Sequence, residues 1–213
     1  MGIISWDFRK IMREMPTDST QARKNLIMAT TNPLKSSHEI ELVRSQLKNL
    51  RDLCLFTMGI NLAFRGGDLL SLNICDVENL EAGNDLIRRE EKTNKLRRTT
   101  VNSAVVDAVQ ALVRQRYENG VESCDPLFIG NRGTRLTIVS LSRMWKDWGR
   151  DAGLTQNIAS HSARKTKAYI MRVEHNTPIE VLCKVLNHSS PAVTMRYICV
   201  QDEEVRPFYS MEL

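Results

Sequence analysis

Leu186-Asn187-His188-Ser189-Ser190-Pro191-Ala192-Val193-Thr194-Met195-Arg196-Tyr197-Ile198 is the stretch around which the rest of the chain can be ordered. His188 closes one helix, and Ser190-Pro191 opens the next, because proline suits the first helical position. Asn187 tolerates the left-handed conformation that such a helix end requires. Tyr197 lies on the second helix, nine residues after His188. Taken alone it reads as an amphipathic core tyrosine with a solvated hydroxyl. Just upstream, Thr177-Pro178-Ile179-Glu180 has the pattern of a capping box with proline at the first helical position. Before that, Ser160 starts a helix in Ser160-His161-Ser162-Ala163-Arg164-Lys165-Thr166, with His161 and Arg164 three apart on one face. An imidazole beside a guanidinium suits a phosphate site in which the histidine moves a proton. The plain alternative for His161 is a polar residue at a helix start.

Working outward, the spacing of Ile40, Val43, Leu47, Leu50 and Leu53 predicts one long helix from Ser37 through Phe64. Gly66-Gly67 stops it, and a short helix Asp68–Leu72 follows. Arg65 sits at the end of this nearly all-apolar helix, where it is either a cation favoured by the helix dipole or a ligand for a buried anion. Asp85–Glu91 and Leu96–Val101 read as two strands around the turn Lys92-Thr93-Asn94-Lys95. Ser103 is placed to cap the next helix. Leu127-Phe128-Ile129 reads as a short strand, and Thr137 opens a helix carrying Leu141, Met144, Trp145 and Trp148. The expected fold class is mostly α with one small antiparallel sheet. Residues 1–36, with a short helix over Trp6–Met15, are too few for an independent domain of usual size. The expected division is a leading segment 1–36, a domain 37–200 and a tail 201–213.

Composition narrows the class. The chain has 213 residues, 42% hydrophobic and 26% charged, which suits one large packed domain. No apolar run is long enough to span a bilayer, and the N-terminus lacks the basic-then-apolar pattern of a signal peptide. Trp6 stands where a myristoylation signal wants serine or threonine. The five cysteines, Cys54, Cys75, Cys124, Cys183 and Cys199, form no CxxC pair and read as reduced thiols of a cytoplasmic protein. The net charge of +5 and pI of about 9.0 permit nucleic-acid binding without requiring it. Neither a GxxxxGK[ST] loop nor a His/Cys metal cluster is present in the sequence, and no metal or cofactor is expected.

Each motif is weak alone. Together, in the order Arg65, Lys92, His161-x-x-Arg164, Leu186-x-His188 and Tyr197, they resemble the tyrosine recombinases, the family of phage integrases and Xer-type resolvases. The resemblance runs from about Ser37 to Cys199. Arg65-Gly66-Gly67-Asp68-Leu69-Leu70-Ser71-Leu72 is similar to the first arginine motif, with its acidic residue, Asp68, three places on. The hairpin at Lys92 is similar to the mobile lysine turn. Two positions depart from the pattern: Lys165 where histidine or a small polar residue is usual, and Asn187 where glycine is usual. Most members also carry a separate helical domain that clamps the other face of DNA, for which only residues 1–36 are available here. Fimbrial phase-switch invertases of the family are similarly short.

The resemblance implies a mechanism. Tyr197 attacks a phosphodiester and forms a 3′-phosphotyrosine, Arg65 and Arg164 grip the non-bridging oxygens, and His161 moves the tyrosine proton. His188 hydrogen-bonds the phosphate, Lys92 protonates the departing 5′ oxygen, and Asp68 supports the first arginine. A free phenol ionises near pH 10, so cations beside it are chemically sensible. The implied partner is double-stranded DNA, bound by four protomers on paired sites and by monomers otherwise, with accessory DNA-bending proteins and a tail docked on a neighbouring protomer. The sequence leaves open the DNA site and the choice among integration, excision, inversion and resolution. Rival readings are a type IB topoisomerase, which shares the Arg-Lys-Arg-His-Tyr set, and a non-catalytic DNA-binding regulator of the same fold. A helical interaction protein would make all five motifs coincidence.

Overall fold

A computed structural model of the chain describes residues 31–198, with the side chain of Arg196 left aside. The expected helix Trp6–Met15, Cys199 and the tail 201–213 lie outside the described residues. Among those described, the chain is mostly helical with one two-stranded antiparallel sheet, as expected. No described helix is long and apolar enough to cross a membrane.

The expected long helix is two. α1 spans Ser37–Ser45 and α2 spans Leu50–Leu62. The break falls at residues 46–49, where the Asn49 side chain accepts a hydrogen bond from Asp52 N at 2.9 Å and so starts a new helix. Nor does Gly66-Gly67 stop α2. Ala63 does, in the left-handed region at φ 51°, and the two glycines instead open α3, Gly66–Leu70. Gly66 suits that place because an added Cβ would lie 2.9 Å from Ile138 Cδ1.

A 3₁₀ turn, Ile74–Asp76, leads to strands β1, Asp85–Arg89, and β2, Leu96–Thr100, paired with Asp85 opposite Thr100 and Arg89 opposite Leu96. α4, Ser103–Glu118, is capped by Asn102 rather than Ser103: its side chain accepts from Val105 N at 3.0 Å. The expected strand at Leu127–Ile129 is absent. Single bridges, Asn73 to Pro126 and Ile129 to Arg135, flank the segment, and Leu127 and Phe128 are fully buried core. α5, Ile138–Asp151, is capped by Thr137 as the sequence predicts. Its Trp145 and Trp148 meet Phe56 of α2 at ring separations of 5.3 and 6.3 Å, within the range of favourable aromatic contacts.

α6 covers Ser162–Val173, so Ser160 and His161 form the turn that leads into it. It packs on α2 where Gly59 faces Ala163; an added Cβ on Gly59 would lie 3.1 Å from that of Ala163. α7 spans Ile179–Val185. The capping box expected at Thr177 does not form, because Pro178 occupies the cap and no side chain satisfies the end. α8, Pro191–Ile198, begins at proline as read from the sequence.

Residues 31–36 lie against α6. Lys165 Nζ donates to Thr31 O at 2.6 Å, Leu34 N donates to Thr166 Oγ1 at 2.8 Å, and Leu34 is fully buried. The atypical lysine after the His-x-x-Arg motif therefore serves as an anchor for the chain before α1.

Candidate active site

Two helices end facing one another, and two arginines join them. Arg97 of β2 donates through Nη2 to Leu62 O at 2.7 Å and to Val185 O at 2.9 Å. Arg164 of α6 repeats the bridge one residue further on, with Nη1 donating to Ala63 O at 2.6 Å and Nη2 to Leu186 O. The carbonyls at helix C-termini lack intrahelical partners and carry the negative end of the helix dipole, so guanidinium forks are suited to them. Arg164 is fully buried. Burial, and then repulsion from Arg97 and Arg65, brings its pKa down to about 10, so it still carries its charge at neutral pH.

Arg65 stands between α2 and α3, with 17% of its side chain exposed. Its Nη1 pairs with Glu90 and lies 3.9 Å from Asp68 Oδ2. Glu90, just past β1, is almost wholly buried and receives Thr93 Oγ1 at 2.7 Å, while Arg97 Nη1 lies 3.5 Å from its other oxygen. Burial alone would raise the Glu90 carboxyl. The Thr93 hydroxyl, then Arg65 and Arg97, outweigh that and hold it below the ordinary glutamate value. Asp68 Oδ1 accepts from Glu91 N at 2.9 Å. The root of the hairpin is therefore fastened to the Arg65 turn twice, while Lys92 at its tip is exposed.

Tyr197 comes to this cluster from α8. Its ring lies 4.7 Å from that of His188 and 5.7 Å from the Arg164 guanidinium carbon. His188 follows Asn187, which adopts φ 51° as expected of a left-handed helix end. Burial, then Arg164 and Arg65, pull the His188 pKa to about 4, so its ring is neutral at pH 7. His188 Nδ1 is 3.0 Å from the hydroxyl of Thr194, a fully buried residue one helical turn before Tyr197. His161, at the cap of α6, is exposed yet partly desolvated. That desolvation, and then Arg164, Lys165, Lys92 and Arg65, lower its pKa. A neutral imidazole can accept a proton, and the charges acting on His161 include that of Lys92 from the hairpin.

Of the seven residues singled out in the sequence, Arg65, Asp68, Arg164, His188 and Tyr197 fall within one cluster, while His161, three residues before Arg164, and Lys92, on the exposed hairpin, are tied to it through electrostatics alone. Three others in it were not foreseen: Glu90, Arg97 and Thr194. Thr194 carried a usable signal, since it lies six residues after His188 and three before Tyr197 on the same helix face. Glu90 and Arg97 carried none, because charged residues in an alternating strand look like a solvated face.

The sequence pattern of the phage integrase family matches residues 33–204. The chain is 31% identical over 187 residues to "Probable integrase/recombinase YoeC" of Bacillus subtilis (strain 168), an alignment covering 86% of this chain and 98% of YoeC. It is 26% identical over 208 residues to tyrosine recombinase XerC of Caldanaerobacter subterraneus subsp. tengcongensis, covering 92% of this chain but 55% of that protein. Relative to XerC, the chain therefore spans about half the length. The crystal structure of XerA recombinase shares the fold with a TM-score of 0.70 and 23% identity, covering 85% of this chain and 65% of that one. The chain belongs to the phage integrase family.

Proposed function

We propose that this chain is a site-specific recombinase that cleaves and rejoins double-stranded DNA, with Tyr197 as nucleophile. The observation that carries the reading is the convergence of Arg65, Arg164, His188 and Tyr197, drawn from three separate stretches of sequence, on one cationic cluster. Family membership and the likeness to YoeC along nearly its whole length support it. In this reading the Tyr197 oxygen bonds to phosphorus and the bond to the 5′ oxygen breaks. The phenolic proton passes to neutral His161, and Lys92 supplies a proton to the departing 5′ oxygen. Arg65 and Arg164 balance the charge gathering on the non-bridging oxygens, His188 donates a hydrogen bond to them, and Asp68 supports Arg65. Attack of a 5′ hydroxyl on the phosphotyrosine reverses the step, because the bond energy is conserved in the covalent link.

The same reading has the chain acting in the cytoplasm as four protomers on paired DNA sites, with DNA-bending proteins assisting and residues 201–213 docking on a neighbour. The division into a leading segment, 1–36, and a catalytic domain, 37–200, belongs to it. The test is covalent capture on nicked suicide substrates made from the DNA flanking the gene. Tyr197→Phe should bind DNA and give no covalent complex. Capture that persists in Tyr197→Phe and vanishes in Tyr209→Phe would overturn the assignment.

A further inference from the structure

We propose that Thr194 is a positioning residue that fixes the neutral His188 ring as the tautomer carrying its hydrogen on Nε2. The inference starts from a chain of three side chains. Thr194 Oγ1 lies 3.0 Å from His188 Nδ1 and 3.1 Å from Cys183 Sγ, and Thr194 is fully buried. Cys183 is a free thiol.

The hydroxyl has one hydrogen for two neighbours. If it went to sulfur, a good donor would be spent on a weak acceptor and Nδ1 would have to carry the ring hydrogen. If it goes to Nδ1, a good donor meets a good acceptor, and the thiol, a weak donor, completes the oxygen's coordination. The second arrangement makes the stronger pair and leaves the ring hydrogen on Nε2. The His188 pKa of about 4 means that the ring is uncharged at neutral pH, so it has one donor to place.

The consequence rests on the recombinase reading. A histidine that must donate to a phosphate oxygen can do so only from a nitrogen that bears hydrogen. With Nδ1 held as acceptor by Thr194, the remaining nitrogen, Nε2, is the donor, on a ring whose centroid lies 4.7 Å from that of Tyr197. The opposite tautomer would turn a lone pair toward the phosphate and repel it.

The test is ¹⁵N spectroscopy of the imidazole rings in the whole chain at pH 7, with His188 assigned by its loss in His188→Gln. The wild type should show a protonated Nε2 and an unprotonated Nδ1. Thr194→Val keeps the shape and removes the hydroxyl, so the two nitrogen shifts should move toward each other as the tautomers mix, and Thr194→Ser should restore the separation. A hydrogen on Nδ1 in the wild type overturns the proposal, as does a Thr194→Val spectrum identical to wild type. In suicide-substrate cleavage, Thr194→Val should slow the wild type by about tenfold, the equivalent of one hydrogen bond, and add nothing in the His188→Gln background. Additive slowing would show that Thr194 acts other than through His188. The expected tautomer with no cleavage by any form of the chain would count against the recombinase reading, since the spectra decide the tautomer by themselves.

Discussion

Arg164→Lys keeps the charge and separates two roles that one residue holds. In the structure Arg164 is fully buried and its two Nη atoms bridge Ala63 O and Leu186 O. A lysine ammonium is one centre on an unforked stem, so the bridge loses at least one of its two bonds. A hydrogen bond to a charged group contributes about 1.5–3 kcal/mol, which sets the expected loss of folding stability. For a domain of this size that corresponds to a melting temperature lower by about 3–12 °C. Arg65→Lys is the internal control. Arg65 is partly exposed and its ion pairs run through one nitrogen, so a lysine can keep the contact with Glu90, and the cost should stay near or below about 1 kcal/mol. Urea unfolding without DNA measures both variants, and suicide-substrate capture follows the chemistry. Capture should fall in both, whereas stability should fall markedly only in Arg164→Lys. Equal stability loss, or an Arg164→Lys as stable as wild type, would refute the claim that this arginine holds two helix ends together.

Lys92→Ala should lose cleavage of ordinary DNA and recover it on a 5′-phosphorothiolate substrate, whose sulfur leaves without needing a proton; equal loss on both substrates would make Lys92 a binding residue. Glu90→Gln leaves Arg65 and Arg97 without their shared carboxylate and should cost about 3–5 kcal/mol by urea unfolding. The Glu90 carboxyl is held below its ordinary value of 4.5, so its contribution is full above that pH and is lost as pH falls through the lower folded value. The variant should therefore lose less stability than wild type on acidification below about pH 4.5; parallel acid curves would show that Glu90 is not held ionised by its partners. Gly149→Ala would bring a Cβ to 2.5 Å from Ile158 Cδ1, an overpacking that should cost about 1–3 kcal/mol, with Ile158→Val recovering part of it in thermal melts.

The candidate site was legible in the sequence because its residues sit in short motifs whose spacing survives folding. His161-x-x-Arg164 and the run from Leu186 to Tyr197 each lie within one helix or across one turn, so local geometry was enough to read them. The joints between elements were harder. Asn49 breaks the expected long helix by capping α2, although the apolar steps run on across the break from Leu47 to Leu53. Ala63 ends α2 at a positive φ, where alanine gives no signal, and the glycine pair three residues on is a more obvious but incorrect stop. Leu127 and Phe128 are apolar because they are core, which periodicity cannot tell from a strand in so short a run. Glu90 and Arg97 could not be read at all. Their partners lie at Arg65, Leu62 and Val185, up to 88 positions away, and only the assembled fold turns a strand's charges inward.

The paired bridges of Arg97 and Arg164 also bear on the charge of the cluster. Each helix C-terminus presents about half a negative charge, and α2 and α7 bring two such ends together. These ends, with Glu90 and Asp68, offset most of the charge on Arg65, Arg97, Arg164 and Lys92. About one positive charge is left over. The carbonyls of two helix ends therefore take up part of the arginines' charge, so the cluster is less cationic than its side chains alone would make it.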